Sequence, residues 1–222
     1  MTMNLFSVFD PSTLYFISNW VSIFLWIFVI PSTFWLVSSR LNSIFIIFIM
    51  YIYSEFKPLL LKSKFTLLSI LSIFLFILLN NMLGLFPYIF CASSHMSLTL
   101  SLGFMAWLSL MLYGWVNNYK NLLIHLIPEG TSSSLMPFMV LVETISNIIR
   151  PITLSIRLCA NMIAGHLLIT LLSSSLIKSN YLMFSVLSLG EVSLMILEIA
   201  VALIQAYVFS MLLTLYISEL SS

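Results

Sequence analysis

A line of charged side chains runs through a strongly apolar stretch of this chain. Glu143, Arg150 and Arg157 follow one another at intervals of seven residues, so on a helix each is rotated by only about 20° from the last. Asn161, four residues after Arg157, falls on the same stripe. An arginine in hydrocarbon costs roughly 2.5–3.5 kcal/mol on insertion scales, and intramembrane charges mark substrate and ion pathways. This stripe is therefore the first candidate for a functional site.

The next apolar stretch carries a matching line. Its members are separated by multiples of seven residues and are Glu191, Glu198, Gln205 and Glu219. Carboxylates and imidazoles titrate near neutral pH once burial and neighbouring charges shift them, whereas arginine, with a pKa above about 12, stays charged. We therefore expect Arg157 to act as a fixed positive charge, and His166 with Glu198 to carry protons. His166 lies nine residues beyond Arg157, on roughly the opposite side of the same helix.

Each of these residues also has a purely structural interpretation. Arg157 could form an ion pair with Glu143 or Glu198, and Arg150 could extend its charge to a membrane interface. His166 could be a hydrogen-bonded packing residue. These alternatives stay open on the sequence alone.

Two further polar residues are candidates for lining a channel. Glu191 adds a carboxylate to the second line. Asn80, which precedes Asn81 and Gly84, either lines a channel or satisfies the backbone of a bent helix.

The overall composition shows what kind of molecule must position these groups. Of the 222 residues, 61% are hydrophobic and only 7% are charged, against about 25% charged in soluble chains. The apolar runs are continuous rather than alternating, which favours a polytopic helical membrane protein over a membrane barrel. The net charge of +1 gives no indication of a nucleic-acid partner. The two cysteines build no disulfide framework, no Cys/His spacing resembles a zinc site, and we expect no metal or cofactor.

We predict a single integral membrane domain over residues 1–222, all-α, with about five membrane-crossing helices and one interfacial helix. The predicted elements are a first span at 14–30, an interfacial helix at 41–61, spans at 65–86 and 96–115, a polar loop at 117–134, and long helices at 135–177 and 181–220. The segment 41–61 could instead be another span, but the next span follows it almost at once. Basic residues cluster beside it, at Arg40, Lys57, Lys62 and Lys64, which places this side in the cytoplasm or its organelle equivalent. The first ten residues show no leader pattern, so we expect no cleaved peptide.

The two long apolar runs allow two arrangements. As helices they would extend about 64 Å and about 60 Å, against a hydrocarbon core of about 30 Å. Each run could hold two upright spans with a turn at Pro151 or Gly190. Alternatively, each could be one strongly tilted helix, with Ser179 and Asn180 making the hairpin between them.

Four motifs, in order, resemble one family. The stretch RLCANMIAGHL from Arg157 to Leu167 closely resembles the signature of subunit a of the F-type ATP synthase, in its mitochondrial form called subunit 6. The other three motifs are NMLGLFPY at 81–88, ETIS at 143–146 and LEIAVALIQAYVF at 197–209. Their order and spacing also fit, and the similarity covers nearly the whole chain.

The resemblance implies a stationary proton-channel subunit that lies against a rotating ring of c subunits. Two offset half-channels would connect a carboxylate on the ring to opposite sides of the membrane. Arg157 would be the essential arginine that controls this carboxylate and blocks direct leakage. His166 and Glu198 would form the relay on the proton-uptake side, in the mitochondrial arrangement; bacterial relatives exchange the acid and the imidazole. The family's long helices lie nearly horizontal along the ring, which favours the tilted hairpin.

The resemblance also implies supporting roles for other residues. Asn161 and Gln205 would flank the arginine, and Glu143 would belong to the half-channel that releases protons to the matrix. Arg150 departs from the pattern, because many relatives have an uncharged residue or a lysine there. The resemblance leaves the role of Glu191 open.

Location and partners are likewise implied by the resemblance. The chain would be a multi-pass protein of the mitochondrial inner membrane, with its N-terminus toward the intermembrane space and its C-terminus toward the matrix. Its partners would be the c-subunit ring, other membrane-sector and peripheral-stalk subunits, lipids and protons, but no nucleic acid. The sequence has no Walker-type glycine-rich loop, so we expect no nucleotide site and no catalytic site of its own.

Two other function classes compete with this one. A proton-coupled secondary transporter would be favoured by inverted repeats, and no internal repeat is found. A respiratory electron-transfer subunit would need paired histidines on facing helices. The three histidines, His95, His125 and His166, are on different segments.

Overall fold

The computed structural model describes residues 8–12, 19–31, 39–59, 64–117, 119–127, 135–177 and 179–221. Within these ranges the chain forms helices and connecting turns, with no β-strand. The all-α class predicted from the sequence is therefore confirmed. The α-helices are α1 (Trp26–Val29), α2 (Arg40–Phe56), α3 (Lys64–Gly84), α4 (Met96–Asn117), α5 (Tyr119–His125), α6 (Met136–Ile177) and α7 (Tyr181–Ser221). Short 3-10 helices are found at Asn19–Phe24, Lys57–Leu59 and Ala92–Ser94.

Four of the described helices, α3, α4, α6 and α7, are long and apolar enough to cross a membrane. The predicted first span at 14–30 falls partly on residues 13–18, which lie outside the described ranges. Its described part consists of the 3-10 helix Asn19–Phe24 and the four-residue α1. The predicted interfacial segment at 41–61 corresponds to α2 and the 3-10 turn that follows it.

The two long apolar runs are each one continuous helix. α6 spans 42 residues with Pro151 inside it, and α7 spans 41 residues with Gly190 inside it. The alternative with a turn inside each run is therefore wrong. At 1.5 Å per residue, these helices extend about 60 Å, twice the thickness of a hydrocarbon core of about 30 Å.

α4 packs closely against α6 at the proline inside it. Proline lacks an N–H and leaves the carbonyl four residues earlier without its helical donor, which membrane helices accept where neighbours support the bend. Pro151 is buried, and Gly103 of α4 lies so close that a Cβ there would be 3.2 Å from the Pro151 carbonyl oxygen. The Ser155 hydroxyl donates to the same carbonyl oxygen at 3.0 Å. The backbone in the middle of α6 is thus fixed from two sides.

The main core lies between α3 and α7, with contributions from α2 and α6. Its centre is aromatic and aliphatic: the Phe56 ring stacks on Tyr207 with centroids 6.2 Å apart and meets the Phe74 ring edge-on. α4 packs on α6, and α6 packs on α7. This arrangement leaves α6 and α7 side by side and antiparallel, joined through Ser179 and Asn180.

The predicted polar loop at 117–134 is wrong in its first part, where residues Tyr119–His125 form α5. No glycine or proline occurs between Asn117 and Ile127, so no residue there breaks the helical path. Residues 128–134 lie outside the described ranges.

Candidate functional site

The α6–α7 hairpin brings members of the two polar lines to one cavity of about 260 Å³. Asn161 on α6 faces Glu198 and Gln205 on α7 across it. Because the helices are antiparallel, the polar line of α6 and the polar line of α7 run in opposite directions, and they meet at this cavity. The remaining lining is small or apolar and includes Ala164, Gly165, Leu168, Leu194, Leu197 and Val201.

Glu198 is the one charged residue among the described residues that line this cavity, and it is buried. Its side chain is 5% exposed, and neither carboxylate oxygen has a hydrogen-bond partner among the described residues. Burying an ionisable group without a partner costs free energy, and such groups are candidates for functional sites. Glycine makes room for it: a Cβ at Gly165 would overlap Oε1 of Glu198 and lie 2.8 Å from its Cδ.

Arg157 lies next to this cavity along α6. Arg157 and Gln205 both border a narrow gap beside the cavity. Gln205 therefore borders both the cavity and the gap at Arg157. The Arg157 side chain is exposed on the surface of the hairpin. Within the described part of the chain, the structure shows one ion pair, between Arg150 and Glu143, and Arg157 has none. The alternative in which Arg157 pairs with Glu143 or Glu198 is therefore wrong.

His166 does not border the cavity, although it directly follows Gly165. Its ring meets the Phe9 ring edge-on with centroids 6.4 Å apart. Its Nε2 is buried without a hydrogen-bond partner among the described residues, and no hydrogen bond in those ranges joins it to Glu198. Glu198 thus lies against Gly165, the residue next to His166, but no hydrogen bond joins the two proposed proton carriers.

Glu143 and Arg150 form a separate pair nearer the start of α6. The Arg150 Nη2 lies 3.4 Å from the Glu143 Oε1, and each side chain is 32% exposed. The Arg150 guanidinium also lies over the Tyr216 ring of α7, 5.1 Å from its centroid. Glu143 precedes Arg157 by 14 residues, or about 21 Å along a helix. Arg157 therefore lies between this ion pair on one side and the cavity on the other.

Of the two adjacent asparagines of α3, Asn81 lies in the interior of the protein. Asn81 is 0% exposed, and both polar atoms of its amide lack a hydrogen-bond partner among the described residues. Asn80 is only partly buried. Both border a small gap of about 10 Å³ near Ser93 and Leu158, which is about the room that one water needs.

Comparison with known proteins agrees with these observations. Residues 13–218 match the protein family described as ATP synthase A chain. The chain is 53% identical to ATP synthase subunit a of Locusta migratoria over 99% of both chains. It is 52% identical to that of Anopheles gambiae and 50% identical to that of Drosophila melanogaster, over 100% of each chain.

The chain belongs to the ATP synthase A chain family. The resemblance to F-type ATP synthase subunit a drawn from four motifs is confirmed, and with it the connection to ATP synthesis and proton transport. As a member, the chain is a membrane-sector subunit that associates with other ATP synthase subunits. Its apolar helices and its relatives indicate a multi-pass inner-membrane protein. The transporter and electron-transfer alternatives are not supported.

Among the site residues predicted for this subunit a chain, the structure groups some and separates others. Asn161, Glu198 and Gln205 share the cavity, with Arg157 beside it. Glu191, seven residues before Glu198, is partly exposed and does not border the cavity. In the described ranges, no three His, Cys, Asp or Glu residues lie together as metal ligands do.

Sequence reasoning considered the pair Asn80 and Asn81 and chose Asn80 as the channel-lining candidate, whereas Asn81 is the more deeply buried of the two. The two are adjacent and chemically identical, so composition cannot separate them. Helical phase could have done so. Asn81 follows the buried core residues Phe74 and Ile77 at intervals of seven and four, which places it on the same face of α3.

Proposed function

We propose that this chain is the stationary proton-conducting subunit of the ATP synthase membrane sector. Two half-channels would bring protons to and from a carboxylate on each c subunit of a rotating ring. One observation carries the proposal. Arg157, exposed and without an ion pair in the described chain, lies between a cavity that holds a buried acid and a second acid farther along α6.

The arginine would separate the two half-channels electrostatically. A guanidinium stays charged at any physiological pH, and it repels a proton that tries to pass directly from one side to the other. It also attracts the carboxylate of a passing c subunit, and a nearby positive charge favours the ionised form of that carboxylate. The exposed position of Arg157 on the hairpin surface is where a partner helix can reach it.

The cavity side would deliver protons. Glu198 would receive them by way of His166 and pass them to the ring, while Asn161 and Gln205 would orient Arg157 and the water between these groups. Glu191 and Asn80 would line the approach. Support comes from the shared cavity of Asn161, Glu198 and Gln205.

The other side would release protons to the matrix through Glu143. A proton crossing 100 mV of membrane potential releases only about 2.3 kcal/mol, so several protons must be summed for each ATP. A rotating ring would add the free energy released by successive protons. The length of α6 and α7 suits a hairpin that lies flat along this ring. The chain would also contact the peripheral stalk in the mitochondrial inner membrane, with its N-terminus in the intermembrane space and its C-terminus in the matrix.

The test is substitution of Arg157 in the assembled ATP synthase. Arg157→Ala and Arg157→Lys should abolish ATP synthesis coupled to the proton gradient, and Arg157→Ala should also increase passive proton leakage through the membrane sector. Both rates are measured in sealed vesicles with a pH-sensitive dye. Arg40→Ala is the matched control, because Arg40 is an exposed arginine at the start of α2. Coupled synthesis retained in Arg157→Ala would refute the proposal.

A further inference from the structure

Asn81 is a buried polar residue of α3 that the proposed function does not use. Its side chain is 0% exposed, and neither Nδ2 nor Oδ1 has a hydrogen-bond partner among the described residues. A buried amide without partners is unfavourable, and native structures pair such groups with protein atoms or with ordered water. The amide of Asn81 therefore needs a partner, and there is room for one beside it.

This room is the gap of about 10 Å³ between α3, α4, α6 and the 3-10 turn Ala92–Ser94. One water molecule needs a volume of at least about 10–15 Å³, so the gap is the size of a single water. Among the described residues, three polar side chains border it, those of Asn80, Asn81 and Ser93. A buried water typically makes about three hydrogen bonds, whereas small gaps with purely apolar walls stay dry.

The lining of the gap also indicates that its occupant is neutral. The described residues that border it carry no charge, and apart from the three polar side chains they are apolar. A buried ion without a countercharge costs far more free energy than a buried neutral group. Calcium or magnesium would also take about six oxygen ligands, which three side chains cannot supply. Water, which both donates and accepts hydrogen bonds, suits amides and a hydroxyl.

Ser93 has hydrogen-bonding capacity left for such a water. Its side chain is 4% exposed, and its Oγ lies 3.4 Å from the Sγ of Cys91. A hydroxyl offers one donor and two acceptor positions. If Ser93 donates to the sulfur, its lone pairs can accept from the water. If the thiol donates instead, the hydroxyl of Ser93 can donate to the water, so in both cases one water can bridge Ser93 and Asn81.

The turn that carries Ser93 is also joined to α6. The thiol of Cys159 donates to the carbonyl oxygen of Ser94 at 2.8 Å, and Cys159 is two residues beyond Arg157 in the sequence. The hydroxyl of Ser94 donates to the carbonyl oxygen of Cys91 at 2.7 Å, which stabilises the turn itself. A contact that holds this turn on α3 therefore also connects α3 with the segment of α6 beside Arg157.

We propose that the gap is a binding site for one resident water, which joins Asn81 of α3 to Ser93 of the 3-10 turn. A water-mediated hydrogen bond is nearly as favourable in enthalpy as a direct one, so this water stabilises the fold. It holds the turn on α3, while Cys159 holds the turn on α6. The packing around the segment of α6 that carries Arg157 thus depends on a water that need not conduct protons.

A cryo-EM map of the assembled ATP synthase, at a resolution that shows ordered waters, tests the site directly. One density peak should lie within about 3.2 Å of an amide atom of Asn81 and of Oγ of Ser93. The Asn81→Leu enzyme should lack this peak, because leucine has the same branched shape but no polar atom. A map of the unmodified enzyme with no peak, in which the Asn81 amide bonds directly to a protein group, would overturn the proposal.

Thermal dissociation of the complex provides an independent measurement. Ser93→Ala removes one partner of the water and should lower the dissociation temperature by about 2–4 °C, the shift expected when a chain of this size loses one hydrogen bond. In the Asn81→Leu background the water is already displaced, so Ser93→Ala should have a clearly smaller effect. Two residues that share one water are coupled, and their substitutions are not additive.

Ser94→Ala is the matched control for Ser93→Ala. Ser94 is the neighbouring serine of the same turn, is 5% exposed and does not border the gap. Its substitution should therefore have the same effect with and without Asn81→Leu. Equal effects of Ser93→Ala in the two backgrounds would overturn the proposal. If the Ser93→Ala enzyme does not assemble, the map of the unmodified enzyme decides.

Discussion

Gly165 is the position where one added methyl group would act most directly on the proposed proton path. A Cβ there would overlap Oε1 of Glu198 and lie 2.8 Å from its Cδ and 3.1 Å from its Cγ. Ordinary contact begins at 3.4 Å, so the Cδ must retreat by roughly half an ångström or more. We therefore expect Gly165→Ala to displace the carboxylate of Glu198 from its present place beside α6.

The sizes of the effects on stability and on proton transfer depend on which atoms move to relieve the overlap between the added Cβ and Glu198. Inserting a methyl group into a packed site typically costs about 1–3 kcal/mol, but alanine recovers about 0.8–1.0 kcal/mol of helix propensity over glycine. Because the far end of a flexible side chain can move, the net loss of stability should be small and the complex should assemble. Proton transfer depends on position more steeply, and a misplacement of about 1 Å can cost a hundredfold in rate. We expect ATP-driven proton pumping to fall by about tenfold or more.

The assay compares Gly165→Ala with Gly190→Ala in sealed vesicles, with pumping normalised to the amount of assembled complex. Gly190 is the matched control in the same hairpin, because its added Cβ would meet only Leu172, at 3.8 Å. Combining Gly165→Ala with Glu198→Asp, which shortens the acid by one methylene, should recover part of the loss. Equal pumping by the two alanine variants would show that the position of Glu198 does not limit proton transfer, and the reasoning would fail.

Three further predictions concern other parts of the site. Exchanging the relay residues, His166→Glu together with Glu198→His, should restore more ATP synthesis than either single change; equal loss in all three would argue against a relay. Burial raises the pKa of the Cys91 thiol, so less of the reactive thiolate exists at pH 7.5. Maleimide labelling of the intact complex should be slow, should accelerate as the pH rises, and should become fast on unfolding; fast labelling at pH 7.5 would contradict this burial. Asn81→Leu removes a buried amide that has no partner among the described residues, and such burial costs about 1–3 kcal/mol. Thermal dissociation of the complex should therefore not occur at a lower temperature, while a several-fold loss of pumping would connect Asn81 with proton access.

The helices of the middle of the chain were largely predictable from sequence. Spans predicted at 65–86 and 96–115 correspond to α3 (Lys64–Gly84) and α4 (Met96–Asn117), because Gly84 and Pro87 mark the turn between them. The continuity of α6 was not predictable. Whether a proline breaks a membrane helix depends on its neighbours in the fold, and Gly103, which lies close to the Pro151 carbonyl, is 48 residues away in sequence.

The pairing of the site residues was partly predictable. Because α6 is one continuous helix, helical rise separates Glu143 from Arg157 by about 21 Å, and this distance excludes the ion pair between them that the sequence left open. The pairing of Glu143 with Arg150 also required the side chains to reach toward each other along the helix, which spacing permits but does not demand. The place of His166 could not be derived, because the ring contact with Phe9 joins parts of the chain more than 150 residues apart.

The close fit of Glu198 against Gly165 also has a mechanical meaning. Under the proposed function, a stationary subunit beside a rotor would receive a sideways force at each step, and this force would act to slide α6 and α7 along each other. The side chain of Glu198 on α7 lies where Gly165 of α6 has no Cβ, so an axial shift of one residue, about 1.5 Å, would move the carboxylate away from the glycine that makes room for it. Under the proposed function, Glu198 would therefore have two roles: it would carry protons, and its fit against Gly165 would keep Gln205 near Arg157 while the rotor turns.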